Sequence, residues 1–399
     1  MIKENINNLR VLFLFFIYPF GSFLAALKTL NSKYSFKVFF LFSILFGLTF
    51  IAKNESADSY RYAEEFNRVK NNSSIEFTQT VIEYFTFESN IKDIYEVTSY
   101  YLISRISDSY HVLMAFWAFV FAFFLLKSFR FFVNRIEFNN SFFVYVLAFL
   151  FVYSNPISNI NGARFWTASW VAVYVVFQIV VNKRYLFFLL ACITPLIHIS
   201  FVFFIAILFI YVVSLKFHKL WVYIFMISFF VGNIALSLST NYVDIMPQAV
   251  QNLVWSYTES DTALERIEGI GQPLYAEILT LLPYVFINIF IVFFIYNFKK
   301  IKNTEGYNVY IFILIWMSAC NFTSAIPSFG ARFFQMGIPF VMYLGLLMYK
   351  EVPFIKTLLK FAPVIYAYSI FLWLRFVSTI IDFDLFFSIF PHLLFKNLL

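Results

Sequence analysis

The chain has 399 residues, 61% of them hydrophobic and only 13% charged, with 60 phenylalanines and a net charge of +7. Globular chains run at about 45–50% apolar and about 25% charged, so this one lacks the polar surface to cover a soluble globule. That excludes a cytosolic enzyme, a nucleic-acid-binding module and a disordered chain, and it leaves an all-α polytopic membrane protein.

A hydrocarbon core of ~30 Å takes about 20 apolar residues per helix. A first span is expected at 9–27, where the apolar run Val11 to Leu27 follows Lys3 and Arg10 as a secretory signal would. A second run begins within ten residues, so the first reads as an uncleaved helix. Further spans are expected at 36–52, 109–127, 138–154, 164–182, 219–238, 274–298, 307–326, 333–349 and 361–381. The stretch 185–215 is too long for one helix and short for two. Pro195 and His198 divide it into 185–197 and 199–215. The expectation is about 12 transmembrane helices in a single integral membrane domain, 1–399.

The short connections 28–37, 127–137, 182–184, 216–219, 299–302 and 350–360 hold 16 of the 29 Lys and Arg residues. The positive-inside rule makes them cytoplasmic, which accounts for the net charge without any nucleic acid. Both termini then fall outside, and the apolar tail 382–399 is expected in the outer interface or dipping into the bilayer as a thirteenth element. Two outer segments are long enough to fold. In 53–108, Ile75, Phe77, Val81, Ile82 and Phe85 recur at helical spacing, which suggests outer-face amphipathic helices lying on the membrane. The segment 239–273 is acidic and reads as a lid-like loop, with Arg266 inside it as a candidate substrate contact. The cytoplasmic connections are too short to hold a site, so any chemistry belongs to the outer face.

Three features there carry chemistry. Asn161-Gly162-Ala163-Arg164-Phe165-Trp166 is echoed by Phe329-Gly330-Ala331-Arg332-Phe333-Phe334, each after a proline-containing turn and each opening a helix. An arginine in a first turn adds its charge to free N–H groups and the positive dipole end, which makes an anion site. One such arginine is explained by snorkelling to lipid phosphate; two in matching contexts favour function. His198 is a lone imidazole at a helix junction, equally readable as a core histidine or as a general base. Asp58-Ser59-Tyr60-Arg61-Tyr62 packs an acid, a base and two rings into five positions. It suits sugar rings and hydroxyls, although a solvated loop start explains it as well. No Gly-rich phosphate loop and no zinc motif occurs. Cys192 and Cys320 imply neither a disulfide framework nor a metal. Asp382-Phe383-Asp384 lies on the side where nucleotide sugars are absent, so it is read as chance.

With these motifs the chain resembles the EpsG/Wzy-type family of bacterial polysaccharide polymerases over roughly residues 10–350. The match rests on Asp58 to Tyr62 with Phe66, on Arg164, on Leu196-Ile197-His198-Ile199-Ser200, and on Arg332. Asn54-Glu55-Ser56-Ala57 stands before Asp58 where family members often carry Arg and Gly. The resemblance implies a C-type glycosyltransferase-like fold with no cofactor. It also implies oligosaccharide repeat units linked to undecaprenyl diphosphate as substrates, joined on the outer side of the inner membrane. A chain-length regulator and a flippase would be partners, besides the bilayer. On this reading Arg164 and Arg332 hold the leaving diphosphate without a metal, and His198 or Asp58 is the base. Tyr60, Arg61, Tyr62 and Arg266 meet sugar. The competing readings are a flippase or exporter of the same lipid-linked oligosaccharide, an O-antigen ligase, and a sugar acyltransferase.

Overall fold

The computed structural model describes residues 2–52, 58–86, 93–135, 141–232, 273–326 and 328–390, with residues 237, 241, 242 and 251 besides. Among these the chain is helical and holds no strand, only an isolated bridge between Phe50 and Ile381. The main helices are α1 (Ile2–Ile17), α2 (Pro19–Ala26), α3 (Lys33–Leu48), α4 (Asp58–Val69), α5 (Ser74–Phe85), α6 (Ile94–Ser104), α7 (Tyr110–Val133), α8 (Phe142–Tyr153) and α9 (Ala163–Val176). They continue with α10 (Phe188–Ala191), α11 (Thr194–Ile197), α12 (Val202–Ser214), α13 (His218–Ser228), α14 (Leu274–Tyr296), α15 (Gly306–Phe322), α16 (Phe329–Met348) and α17 (Pro353–Ile380).

Among the described residues five stretches are long and apolar enough to cross a membrane: Tyr110–Val133, Phe142–Val181, Leu274–Tyr296, Phe329–Met348 and Pro353–Ile380. Tyr185–Ile197, Ile199–Ser214 and Gly306–Phe322 are shorter apolar helices. The protein is membrane-embedded, because only lipid tolerates this much apolar surface. Phe209, Val213, Val292, Phe371 and Leu374 stand exposed along the spans. In α16, 78% of the apolar window is buried, against 22% in α17. So α16 runs through the centre of the bundle and α17 along its edge. Around α16 pack α8, α14 and α15, while α7 packs between α3 and α9.

The run expected to span at 9–27 does not form one helix. It breaks at Tyr18–Pro19, and the Ser22 hydroxyl donates to the Val11 carbonyl at 2.6 Å. In a straight helix those residues would stand about 16 Å apart, so α2 folds back along α1. Proline lacks the N–H that would continue the ladder and its ring crowds the preceding turn. The expected span at 219–238 is helical as α13 only to Ser228. The division of 185–215 falls at His198, which is extended (φ −156°, ψ 119°) between α11 and the short turn Ile199–Phe201.

The basic connections converge on one end of the bundle. Arg130 lies over the Phe36 ring at 5.0 Å, and Arg135 pairs with Glu305 at 2.6 Å. Lys300 donates to the Glu351 carbonyl at 2.9 Å, and His218 stacks on Phe298 at 4.6 Å. At the other end α4, α5 and α6 gather. The Ser73 capping box starts α5, which leaves Ile75, Ile82 and Phe85 exposed and stacks Phe77 on Tyr101 of α6 at 4.0 Å.

Candidate functional site

Two rigid turns bring the arginines to the second end. After α8 the chain folds around Asn155. Its amide donates to the Trp166 carbonyl at 3.0 Å, and its own carbonyl accepts from the Trp170 indole at 3.0 Å. Asn159 donates to the Asn155 side chain at 3.0 Å, which fixes the turn Ile157–Gly162 and so the start of α9. Arg164 is the second residue of that helix. The other copy of the motif starts α16 after Ser328, which takes a left-handed backbone (φ 62°). Gly330 lets α16 begin directly against the end of α15: a Cβ there would stand 2.6 Å from the Thr323 carbonyl oxygen.

The two copies meet through their phenylalanines. Phe165 and Phe333 lie 5.2 Å apart, and the Arg332 guanidinium sits over the Phe165 ring at 5.4 Å. His198 meets the same ring edge-on at 5.3 Å, and its Nδ1 accepts the Ser200 backbone N–H at 3.3 Å. Phe165 is therefore a hub on which one helix start, one helix break and a second helix start are assembled.

Around it is a cavity of about 260 Å³ whose wall contains Asp58, Tyr62, Arg164, His198 and Arg332. Residues from four remote segments of the sequence thus share one chamber, together with Asn159, Asn161 and Trp166. Tyr60 and Arg61 stand outside it. Asp58 and Tyr62 are one helical turn apart on α4 and line the chamber. Asp58 is itself half exposed and pairs at 3.3 Å with Arg61, whose guanidinium also lies over the Tyr62 ring at 5.4 Å. Arg266 and most of 239–273 lie outside the described residues, as do 53–57 and the tail beyond 390. Among the described residues no group of three His, Cys, Asp or Glu could hold a metal ion.

The arginines have different surroundings. One nitrogen of Arg164, Nη1, lies 3.0 Å from Glu96 and 3.2 Å from Asp93, and the Asp93 side chain is 1% exposed. Tyr100 donates to the other oxygen of Glu96 at 2.8 Å. Tyr62 lies beneath the same guanidinium, and burial pushes its phenol up to about 12, with Arg164 opposing. Among the described residues no carboxylate pairs with Arg332. Asp93 and Glu96 were not singled out in the sequence. They lie in the charged segment 53–108, where nothing local separates them from solvated acids. Asn161 was read only as part of the repeat, yet its buried side-chain oxygen meets no donor among the described residues.

A family model described as the EpsG family matches residues 34–392. No curated protein and no solved structure matches the chain.

Proposed function

The chain belongs to the EpsG family, which is of the polysaccharide-polymerase type, and from that premise we propose that it joins undecaprenyl-diphosphate-linked oligosaccharide repeat units, releasing undecaprenyl diphosphate on the outer side of the inner membrane. The observation that carries this reading is the single chamber shared by Asp58, Arg164, His198 and Arg332. Glycosyl transfer from a lipid diphosphate needs a cation for the leaving group and a base for the acceptor, close together and at the membrane boundary.

In the proposed reaction an acceptor hydroxyl attacks the anomeric carbon of the donor, and its proton passes to the Asp58 carboxylate. The anomeric C–O bond breaks with its electron pair onto the diphosphate oxygen. Arg332, over Phe165 and without a carboxylate partner among the described residues, meets that growing charge. Arg164, held in place by Asp93 and Glu96, offers its remaining N–H groups as fixed donors. Asp58 suits the base better than His198 does. The Nδ1 of His198 is occupied by the Ser200 N–H, so the neutral imidazole carries its proton on Nε2. That N–H is a donor to the diphosphate. Asn161 offers its oxygen to a sugar hydroxyl.

The test is purified protein given lipid-linked repeats. Lengthened glycans support the polymerase. Movement of unlengthened substrate across a vesicle membrane, or transfer only to a lipid A core, refutes it.

A further inference from the structure

A second and larger cavity, of about 390 Å³, adjoins the first and shares Asn159 with it. It lies among α8, α14, α16 and α17. Register along two antiparallel helices fixes its direction. On α16, Arg332 lines the polar chamber, whereas Gln335 and Ile338 line the second cavity. On α17, Phe376 lines the chamber, and Trp373, Ser369 and Tyr366 follow in the second cavity. At 1.5 Å per residue these offsets carry the cavity about 9 Å along one helix and about 15 Å along the other, away from the site end and into the spans.

The lining is mostly ring and aliphatic surface, broken by Ser154, Thr280, Gln335 and Ser369. Asn159 stands at the junction; Leu150, Ile338 and Tyr366 stand at the deep end. A sugar there would bury hydroxyls with few partners, which is costly. The Tyr366 hydroxyl is itself buried and meets no partner among the described residues. We propose that this cavity holds the tail of the substrate, the isoprenoid units next to the diphosphate, while Arg332 holds the head. The choice of an isoprenoid rests on the polymerase reading. Charge at the mouth and an apolar channel running inward from it describe any anionic head on a linear tail, an anionic phospholipid included.

The probes are farnesyl diphosphate and inorganic pyrophosphate, bound to the full chain in nanodiscs of phosphatidylcholine. The tail should make the first at least about 100-fold tighter, the effect of burying only a few methylene-sized groups. Ser369→Trp and Gln335→Trp fill the cavity and should shrink that ratio at least about tenfold, since the tail then stays in contact with lipid or water. Pyrophosphate binding should hold steady in both, which reports that the polar chamber is folded. Arg332→Gln should weaken both probes. Equal binding of the two probes to the unaltered protein overturns the proposal, as does a ratio that survives both fillings. Displacement of farnesyl diphosphate by phosphatidylglycerol at equal concentration also overturns it, by making this a site for bulk lipid. Polymer formation is read separately on the same protein. Tail-dependent binding without polymer keeps the cavity assignment and removes the polymerase; polymer with tail-independent binding does the reverse.

Discussion

At Arg164 one guanidinium nitrogen is shared between Asp93 and Glu96, with exposures of 18%, 1% and 15% for the three side chains. Removing that cation takes from two carboxylates with little water the counter-charge that they share. Arg164→Ala should therefore lower stability by about 3–5 kcal/mol, read as an earlier thermal transition in detergent. Asp93→Asn in that background should restore part of it. Arg332 has no such duty, because its contact is a ring face. Arg332→Ala should leave the transition almost unmoved and lower the rate of glycan lengthening about 10²–10³-fold, the usual effect of removing one donor to a developing oxyanion. A stable Arg164→Ala and an unfolded Arg332→Ala would reverse the assignment. His198 is separable in the same way. As an Nε2–H donor it is imitated by an amide, so His198→Gln should retain more lengthening activity than His198→Ala. A base would be lost equally in both. Asp58→Asn keeps size and hydrogen bonding but not basicity, and should lose about 10²-fold or more.

The helix starts depend on close backbone approach, and here the two copies of the repeat differ. A Cβ on Gly330 would meet backbone atoms of Thr323 and Ser324 at 2.6–2.8 Å, and backbone cannot swing aside. Gly330→Ala should cost about 1–3 kcal/mol and displace Arg332, with loss of lengthening. A Cβ on Gly162 would meet first the Trp166 ring at 3.2 Å, so Gly162→Ala should cost under ~1 kcal/mol. Comparable melting of the two variants would contradict this. The repeat was legible in the sequence because it is local and because both copies open helices. The long helices α7, α14 and α16 were legible because apolar length is what a bilayer selects. The reversal between α1 and α2 was not, since hydropathy counts apolar residues and is blind to chain direction; Pro19 was the available signal. The division within 58–62 was hidden for a similar reason. Taken as the start of a loop, all five are equivalent, whereas the period of α4 puts 58 and 62 on the chamber wall and leaves 60 and 61 off its lining, with Arg61 reaching back to pair with Asp58. The partnership of Arg164 with Asp93 and Glu96 links segments 68–71 residues apart, and no local pattern encodes it.

For the whole molecule, the orientation in the membrane decides whether the proposed reaction has access to its substrates. Ion pairs, ring contacts and a lysine–carbonyl bond draw five of the six basic connections to the end opposite the chamber. Positive charge near helix ends stays on the cytoplasmic side, and the proposed reaction therefore has the chamber facing out. The assignment is open to cysteine labelling, because the chain has only Cys192 and Cys320 to replace. Alanine at Cys192 removes the exposed thiol, and Cys320, buried in the bundle, is replaced by alanine as well. A cysteine at Arg68, a mostly exposed side chain on α4, should react with a membrane-impermeant maleimide in intact cells. A cysteine at Lys299, exposed in the connection after α14, should react only once the cells are opened. If the two exchange behaviour, the chamber faces the cytoplasm. Arg332 and Asp58 would then meet the lipid-linked repeat before it crosses the membrane, and joining repeats on the outer surface would have no site in this molecule.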